Sequence, residues 1–192
     1  YRTHPQTQLV LKLLKENIIG NVIKIKSEFG FDAGVPKKNS RLFNKKLGGG
    51  SILDLGCYPI TFSNLIANYN QNEKEIIPKL REISGEIHEL GIDLNAKAKL
   101  IYENSITSDI SVSINQRFKN ETEIFGSKGT IKILDPWLPK KKNIIEVKKD
   151  NKVEKITSNA ELELFANKIN YFNLYLQNKN MKDNYPDMII DT

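Results

Sequence analysis

The sequence predicts an α+β fold in which helices gather on one face of a mostly antiparallel sheet. Helical periodicity of apolar residues occurs toward the two ends of the chain, whereas the middle is a succession of short runs. Tight connections such as Gly126-Ser127-Lys128-Gly129 join those runs and argue for antiparallel hairpins. At 192 residues the chain suits one core, so a single unit over 1–192 is expected.

Each element has its own reason. After Pro5, which suits a first helical turn, Leu9, Val10, Leu13, Leu14 and Ile18 recur at helical spacing, and Gly20 offers a stop. From Val22 the period becomes two, with Ile23, Ile25, Phe29 and Phe31 on one face and Lys24, Lys26 and Glu28 on the other. Residues 32–50 lack periodicity, contain Pro36, Lys37 and Lys38, and read as a long exposed connection of the kind that carries function or disorder. Ser51 is placed to cap a helix running from Ile52 to Asn68, in which Pro59 makes the backbone near Tyr58 irregular. Strands are expected at 79–88, 96–102, 110–118, 121–125 and 130–134, with short ones around Ile144 and Val153. A last helix over 160–177 is expected to bury Leu162, Leu164, Phe165, Ile169, Phe172 and Leu176.

Composition excludes several classes. Hydrophobic residues at 39% and charged residues at 27% are those of a globular protein, and no apolar run is long enough to span a bilayer. The start of the chain has no export signal, so a cytoplasmic home without membrane contact is expected. The chain opens on Tyr1 and reads as a piece of something longer. Cys57 is the single cysteine and there are two histidines, so neither a disulfide nor a metal site is expected, and Cys57 is taken for an inert buried thiol. The charge of +6 comes mainly from lysine; the densest run, Lys140-Lys141-Lys142, has no interleaved aromatics, which argues against nucleic acid.

The stretch Gly48-Gly49-Gly50-Ser51-Ile52-Leu53-Asp54-Leu55-Gly56-Cys57-Tyr58-Pro59 carries the chemistry. It is not a phosphate loop, a dinucleotide fingerprint or a hydrolase elbow, because the required Gly-Lys-Ser/Thr or third glycine is missing. Asp54 and Tyr58, four apart on a helix, share a face near its N-terminal end, and Gly50 and its neighbours admit close approach of a ligand. Spacing alone equally allows Asp54 to serve the helix dipole, Tyr58 to pack, and the glycines to be a linker.

The same stretch closely resembles the C-terminal domain motif of the glucose–fructose oxidoreductase, inositol dehydrogenase and rhizopine-catabolism (Gfo/Idh/MocA) family. Tyr1-Arg2-Thr3-His4-Pro5, Gly20-Asn21-Val22 and Phe125-Gly126-Ser127-Lys128-Gly129-Thr130-Ile131 extend the resemblance over nearly the whole chain. It implies an open sheet that pairs subunits into a homodimer, and an N-terminal Rossmann domain absent from this sequence. It further implies a dehydrogenase that moves a hydride between NAD or NADP and a secondary alcohol of a sugar, inositol or diol. By resemblance Asp54 and Tyr58 are the catalytic pair, with Tyr58 carrying the proton and a lysine of the Rossmann half stabilising its phenolate. Tyrosine rather than histidine at 58 resembles the branch holding dihydrodiol and D-xylose dehydrogenases. Arg41, Phe29, Phe31 and Gly50 are candidates for the substrate side, and Arg2 and His4 for the cofactor side, most of which lies on the missing half. A non-catalytic sensing or dimerisation module on the same fold is the alternative.

Overall fold

The computed structural model describes residues 1–37, 39–70 and 76–177; Lys38 of the expected connection lies outside them. In chain order the elements are α1 (Pro5–Lys15), β1 (Val22–Gly30), 3-10 turns at Arg41–Phe43 and Lys45–Leu47, a π-helical turn at Ile52–Gly56 and α2 (Cys57–Ala67). There follow β2 (Lys79–Ile87), β3 (Asp93–Ile101), β4 (Thr107–Ser113), β5 (Glu121–Gly126), β6 (Gly129–Leu134), β7 (Lys142–Lys149), β8 (Lys152–Asn159) and α3 (Leu164–Gln177).

The eight strands form one open sheet in the order β2-β3-β4-β1-β5-β6-β7-β8. Every neighbouring pair is antiparallel except β1 and β4, which run parallel across the crossover that contains α2. α2 packs over β1 and β4, and α1 over β7 and β8, so both helices cover the same face. There Ile25, Phe29, Ile110, Val112, Ile124, Ile131, Ile133, Ile145 and Val147 meet Val10, Leu14, Phe62, Leu65 and Ile66 in one buried cluster. Two buried polar ties fix α2 over the sheet: Ser63 to Ser108 at 2.7 Å, and the Tyr102 hydroxyl donating to Asn64 at 2.7 Å. Satisfied hydrogen bonds of this kind select one docking position where apolar contact alone would allow sliding.

Helix ends obey different residues from those expected. Gly20 does not stop α1. Asn17, at φ 56°, is the left-handed residue after the helix, with Ile18 N–H bonding the Leu13 carbonyl and Asn17 N–H that of Leu14, a Schellman closure. At the other end His4 is the N-cap, its Nδ1 accepting the Gln6 N–H at 3.1 Å.

Other expectations need correction. A bulge between Val22 and Lys24 shifts the start of β1, so Val22 is buried and Ile23 is 54% exposed, not on the face of Ile25 and Phe29. The fourth strand ends at Ser113 rather than Phe118, and β3 begins three residues earlier than expected, at Asp93. The connection 32–50 is more built than its composition suggests: it holds two 3-10 turns, buries Phe43, and bridges Asp32 to Asn115. The α3 stripe is not buried: Phe165 is 71% exposed, Ile169 62% and Phe172 58%, because no described element covers that face of the helix.

Candidate functional site

The site is built where the glycine run enters α2. Gly48 closes the second 3-10 turn at φ 69°, and the amides of Gly49 and Gly50 bond back to the carbonyls of Asn44 and Leu42, folding the run onto the loop before it. Gly50 is required twice over: its φ is +108°, and a Cβ there would collide with Asp93 Oδ1. Ser51 does not cap the helix with its own side chain; the fully buried hydroxyl donates to Asp93 Oδ2 at 2.5 Å. The same oxygen accepts the Ile52 N–H at 2.7 Å. A carboxylate from β3, distant in sequence, thus holds the first turn and complements its positive end.

The turn that follows is π-helical, and α2 proper begins at Cys57. Pro59 explains the irregularity. It has no N–H to give, and its ring crowds the carbonyl of Leu55, so the wider turn upstream relieves the contact. Asp54 and Tyr58 stand on either side of this change in helix type.

Asp54 is engaged by Arg41, whose Nη2 forms an ion pair and hydrogen bond with Asp54 Oδ1. Tyr58 is held by rings: Phe29 meets it edge-on at 5.4 Å and Tyr1 lies at 5.7 Å. Tyr1 is itself pinned, its hydroxyl donating to the Tyr58 carbonyl at 2.9 Å and lying 2.6 Å from Thr61 Oγ1. Trp137 backs the group, edge-on to Tyr1 and stacked on Phe29, both at 5.8 Å, with its indole N–H on the Glu28 carbonyl at 2.9 Å.

Tyr1, Tyr58 and Trp137 border a cavity of about 480 Å³, whose walls also include Arg2, Cys57 and, from α3, Phe165 and Lys168. Among the described residues the Tyr58 hydroxyl takes no hydrogen bond. Burial, then the neighbouring Cys57 sulfur and the Asp54 carboxylate, push its pKa up, so the phenol is firmly protonated at neutral pH. The Cys57 thiol is exposed on the cavity wall, not buried as expected, because it sits at the junction of the π-turn and α2; burial and Asp54 raise its pKa.

The structure therefore brings Tyr58 and Arg2 together on the cavity wall, with Phe29 behind the Tyr58 ring and Arg41 paired with Asp54; none of these last three forms the wall. It does not bring Phe31, Gly50 or His4 there. Phe31 packs on the core, Gly50 faces Asp93, and His4 is fully buried as the cap of α1, burial holding its imidazole pKa down. Sequence reasoning missed Tyr1, Trp137 and Asp93. The lone tryptophan in Asp135-Pro136-Trp137-Leu138-Pro139 was an available signal, since rigid prolines around a large ring mark a fixed position. Among the described residues no three or more His, Cys, Asp or Glu side chains are placed to hold a metal ion. No described helix is long and apolar enough to cross a membrane.

Sequence comparison identifies this open sheet, with its glycine-to-helix entry, as a C-terminal domain of a known family. Residues 7–132 match the family model for the GFO/IDH/MocA C-terminal domain, and the chain belongs to that family. It is similar to trans-1,2-dihydrobenzene-1,2-diol dehydrogenase of Xenopus tropicalis, 32% identical over 139 residues that cover 72% of this chain and 39% of the relative. The Xenopus laevis protein of that name is 35% identical over 133 residues, 69% of this chain and 37% of the relative. The chain thus spans about two fifths of the length of the curated relatives it matches. Among solved structures, a 3-ketoreductase from Actinomadura kijaniata in complex with NADP and TDP-benzene shares the fold at a TM-score of 0.78 with 19% identity, over 96% of this chain and 56% of that one. An aldose-aldose oxidoreductase from Caulobacter crescentus complexed with glycerol shares it at 0.75 with 15% identity, over 92% and 51%.

Proposed function

We propose that this chain is the substrate-side half of a nicotinamide-dependent oxidoreductase acting at a secondary alcohol, or the matching ketone, of a sugar, inositol or trans-dihydrodiol. The carrying observation is Tyr58, a cavity-lining phenol clamped by Phe29 and Tyr1 with its hydroxyl unengaged among the described residues. The names of the relatives and the NADP held by the ketoreductase structure support the same reading.

When bound, NAD or NADP supplies or accepts the hydride; most of its site lies on an N-terminal nucleotide-binding half in this reading. This chain offers Arg2 and Lys168 on the cavity wall toward anionic or polar parts of such a ligand. In the reducing direction Tyr58, protonated because burial and Asp54 raise its pKa, gives its proton to the carbonyl oxygen. In the oxidising direction Tyr58 must take that proton as the phenolate, a form that a free pKa near ~10 disfavours at neutral pH, so a cation beside it has to stabilise it. The family resemblance assigns this task to a lysine of the nucleotide-binding half. Asp54, oriented by Arg41, holds a neighbouring substrate hydroxyl, Arg41 reaches a second oxygen, and Phe29 braces the Tyr58 ring. Two such chains pair through the helix-free face of the sheet, and a reducing cytoplasmic setting suits the exposed thiol of Cys57.

The test is turnover by the complete protein on a panel of sugars, inositols and dihydrodiols, followed through nicotinamide absorbance. Tyr58→Phe is expected to lower turnover at least ~100-fold with cofactor affinity unchanged. Undiminished turnover removes Tyr58 from the chemistry, and a wild-type protein that binds nucleotide but turns over nothing in the panel points to the sensing module instead.

A further inference from the structure

The face of the sheet turned away from the helices carries one row of side chains, read across the strands, in which the charge alternates without a break. The pairing registers link Glu82 to Lys99, Lys99 to Asp109, Asp109 to Lys26, and Lys26 to Glu123. They continue from Glu123 to Lys132, Lys132 to Glu146, and Glu146 to Lys155. The row crosses all eight strands and is neutral, on a chain whose net charge is +6. Local attraction between cross-strand neighbours accounts for each step. Within the chain it closes only some of them: Lys132 lies 3.5 Å from Glu123 and Lys155 3.3 Å from Glu146, while Asp109 is taken by Lys24, outside the row, at 2.5 Å.

An even, alternating row has a property that local pairing does not require: reversed, it is complementary to itself. Consider a second copy laid face to face by a two-fold axis in the plane of the sheet. With the axis parallel to the strands, passing between Lys26 and Glu123, the row runs backwards in the second copy. Glu82 then meets Lys155, Lys99 meets Glu146, Asp109 meets Lys132 and Lys26 meets Glu123, each in the other chain and each of opposite sign. With the axis along the row, every residue meets its own copy and every contact is repulsive. One step along the strands Glu28 comes opposite Glu121, but each is already held by a lysine of its own sheet, Lys26 and Lys132. Eight strands at ~4.8 Å spacing and roughly six residues at ~3.3 Å give about 750 Å² of face, the scale of one side of a standard interface.

We infer the register in which the helix-free face meets a second copy of this chain: the strands of the two sheets aligned and the charged row read in reverse. This rests on the pairing part of the proposed function and adds its register, which electrostatics sets by making the alternative repulsive.

The test is charge reversal on opposite sides of the axis, read by sedimentation and native mass spectrometry of the 192-residue chain. Lys99→Glu alone sets a carboxylate against the carboxylate of Glu146 twice per dimer, and Glu146→Lys alone sets an ammonium against that of Lys99 twice. Each is expected to weaken dimerisation roughly tenfold or more, with circular dichroism and thermal unfolding confirming that both remain folded. Mixed in equal amounts, they restore both contacts in trans, so a one-to-one heterodimer of near wild-type strength is expected, and a rescue by mixing has no intrachain explanation. Should either variant prove unfolded, Lys26→Glu and Glu123→Lys, straddling the axis, make the same cycle. A dimer unaffected by the reversals, or folded variants that stay monomeric on mixing, overturns the register while leaving face pairing as such. A wild-type chain that is monomeric at low salt overturns both, and none of these outcomes bears on the dehydrogenase chemistry.

Discussion

Replacing Asp93 with alanine removes the single carboxylate that holds the entrance to the site. Two donors depend on it, the Ser51 hydroxyl at 2.5 Å and the Ile52 amide at 2.7 Å, and Ser51 is fully buried, so both are left with no acceptor of equal quality. Hydrogen bonds to a charged group are worth about 1.5–3 kcal/mol when buried, and a helix cap about 1 kcal/mol. Asp93 is half-buried, and water takes up part of the loss, so the expected cost is about 2 kcal/mol. With a urea m-value of about 2 kcal/mol/M, that lowers the unfolding midpoint by about 1 M with the slope unchanged. Asp93→Asn keeps one acceptor oxygen and loses the charge, so about half that shift is expected. Gly50→Ala attacks the same contact from the other side, since its Cβ collides with Asp93 Oδ1 at a φ that alanine rarely adopts. The two substitutions share one contact, so their costs should not add. A midpoint within about 0.2 M of wild type for Asp93→Ala, or strict additivity with Gly50→Ala, would refute the clamp.

Three further outcomes follow from the same geometry. Burial raises the Tyr1 hydroxyl pKa to about 12 against an ordinary 10, so the folded state keeps a proton that the unfolded chain gives up. Tyr1 therefore leaves stability unaffected below pH ~10 and withdraws roughly 2–3 kcal/mol as pH rises from ~10 to ~12; Tyr1→Phe should remove that share of the fall, while the share of Tyr102, whose hydroxyl pKa burial also pushes up, persists. Trp137 is the only tryptophan and is 1% exposed, so its emission should be blue-shifted and resist acrylamide; Trp137→Phe should cost about 1 kcal/mol for the lost bond to Glu28, and Trp137→Ala about 3–5. Phe172, 58% exposed on α3, should accept serine within about 0.5 kcal/mol by chemical denaturation, whereas the buried stripe expected from periodicity would demand several times that.

Which features were legible in the sequence depends on how far their causes reach along the chain. Alternation in β1, β5 and β6 reflects the side chains of each strand alone, so their existence was readable, as were the helices flanking them. The bulge at Val22–Lys24 was not, because it is set by pairing with β5, about a hundred residues away. Asp54, Tyr58 and Pro59 stood out by spacing and motif. Asp93, which holds their turn, looked like any polar residue before a strand, since its partners lie 41 and 42 residues earlier. The α3 periodicity was real and its interpretation was not: an apolar stripe predicts that a surface will be covered, without saying by what.

Strand β1 links the two halves of this picture. Its period of two sends Ile25, Ser27 and Phe29 toward the helices and Lys24, Lys26 and Glu28 to the open face. Phe29 braces Tyr58, and the carbonyl of Glu28 holds Trp137, so the aromatic wall of the cavity hangs on the same few residues whose other side carries the centre of the charged row. A substitution at Lys26 meant to disturb pairing therefore leaves the cavity side chains untouched, whereas a one-residue slip of β1 would expose Phe29 and bury Lys26 at once. The strand's register is held on both edges, by seven paired positions with β4 and by Ser27 bonded to Thr122 at 3.0 Å on β5. Site and pairing face are thus separable by point substitution but share one determinant, the register of β1, and unfolding of that strand would remove both together.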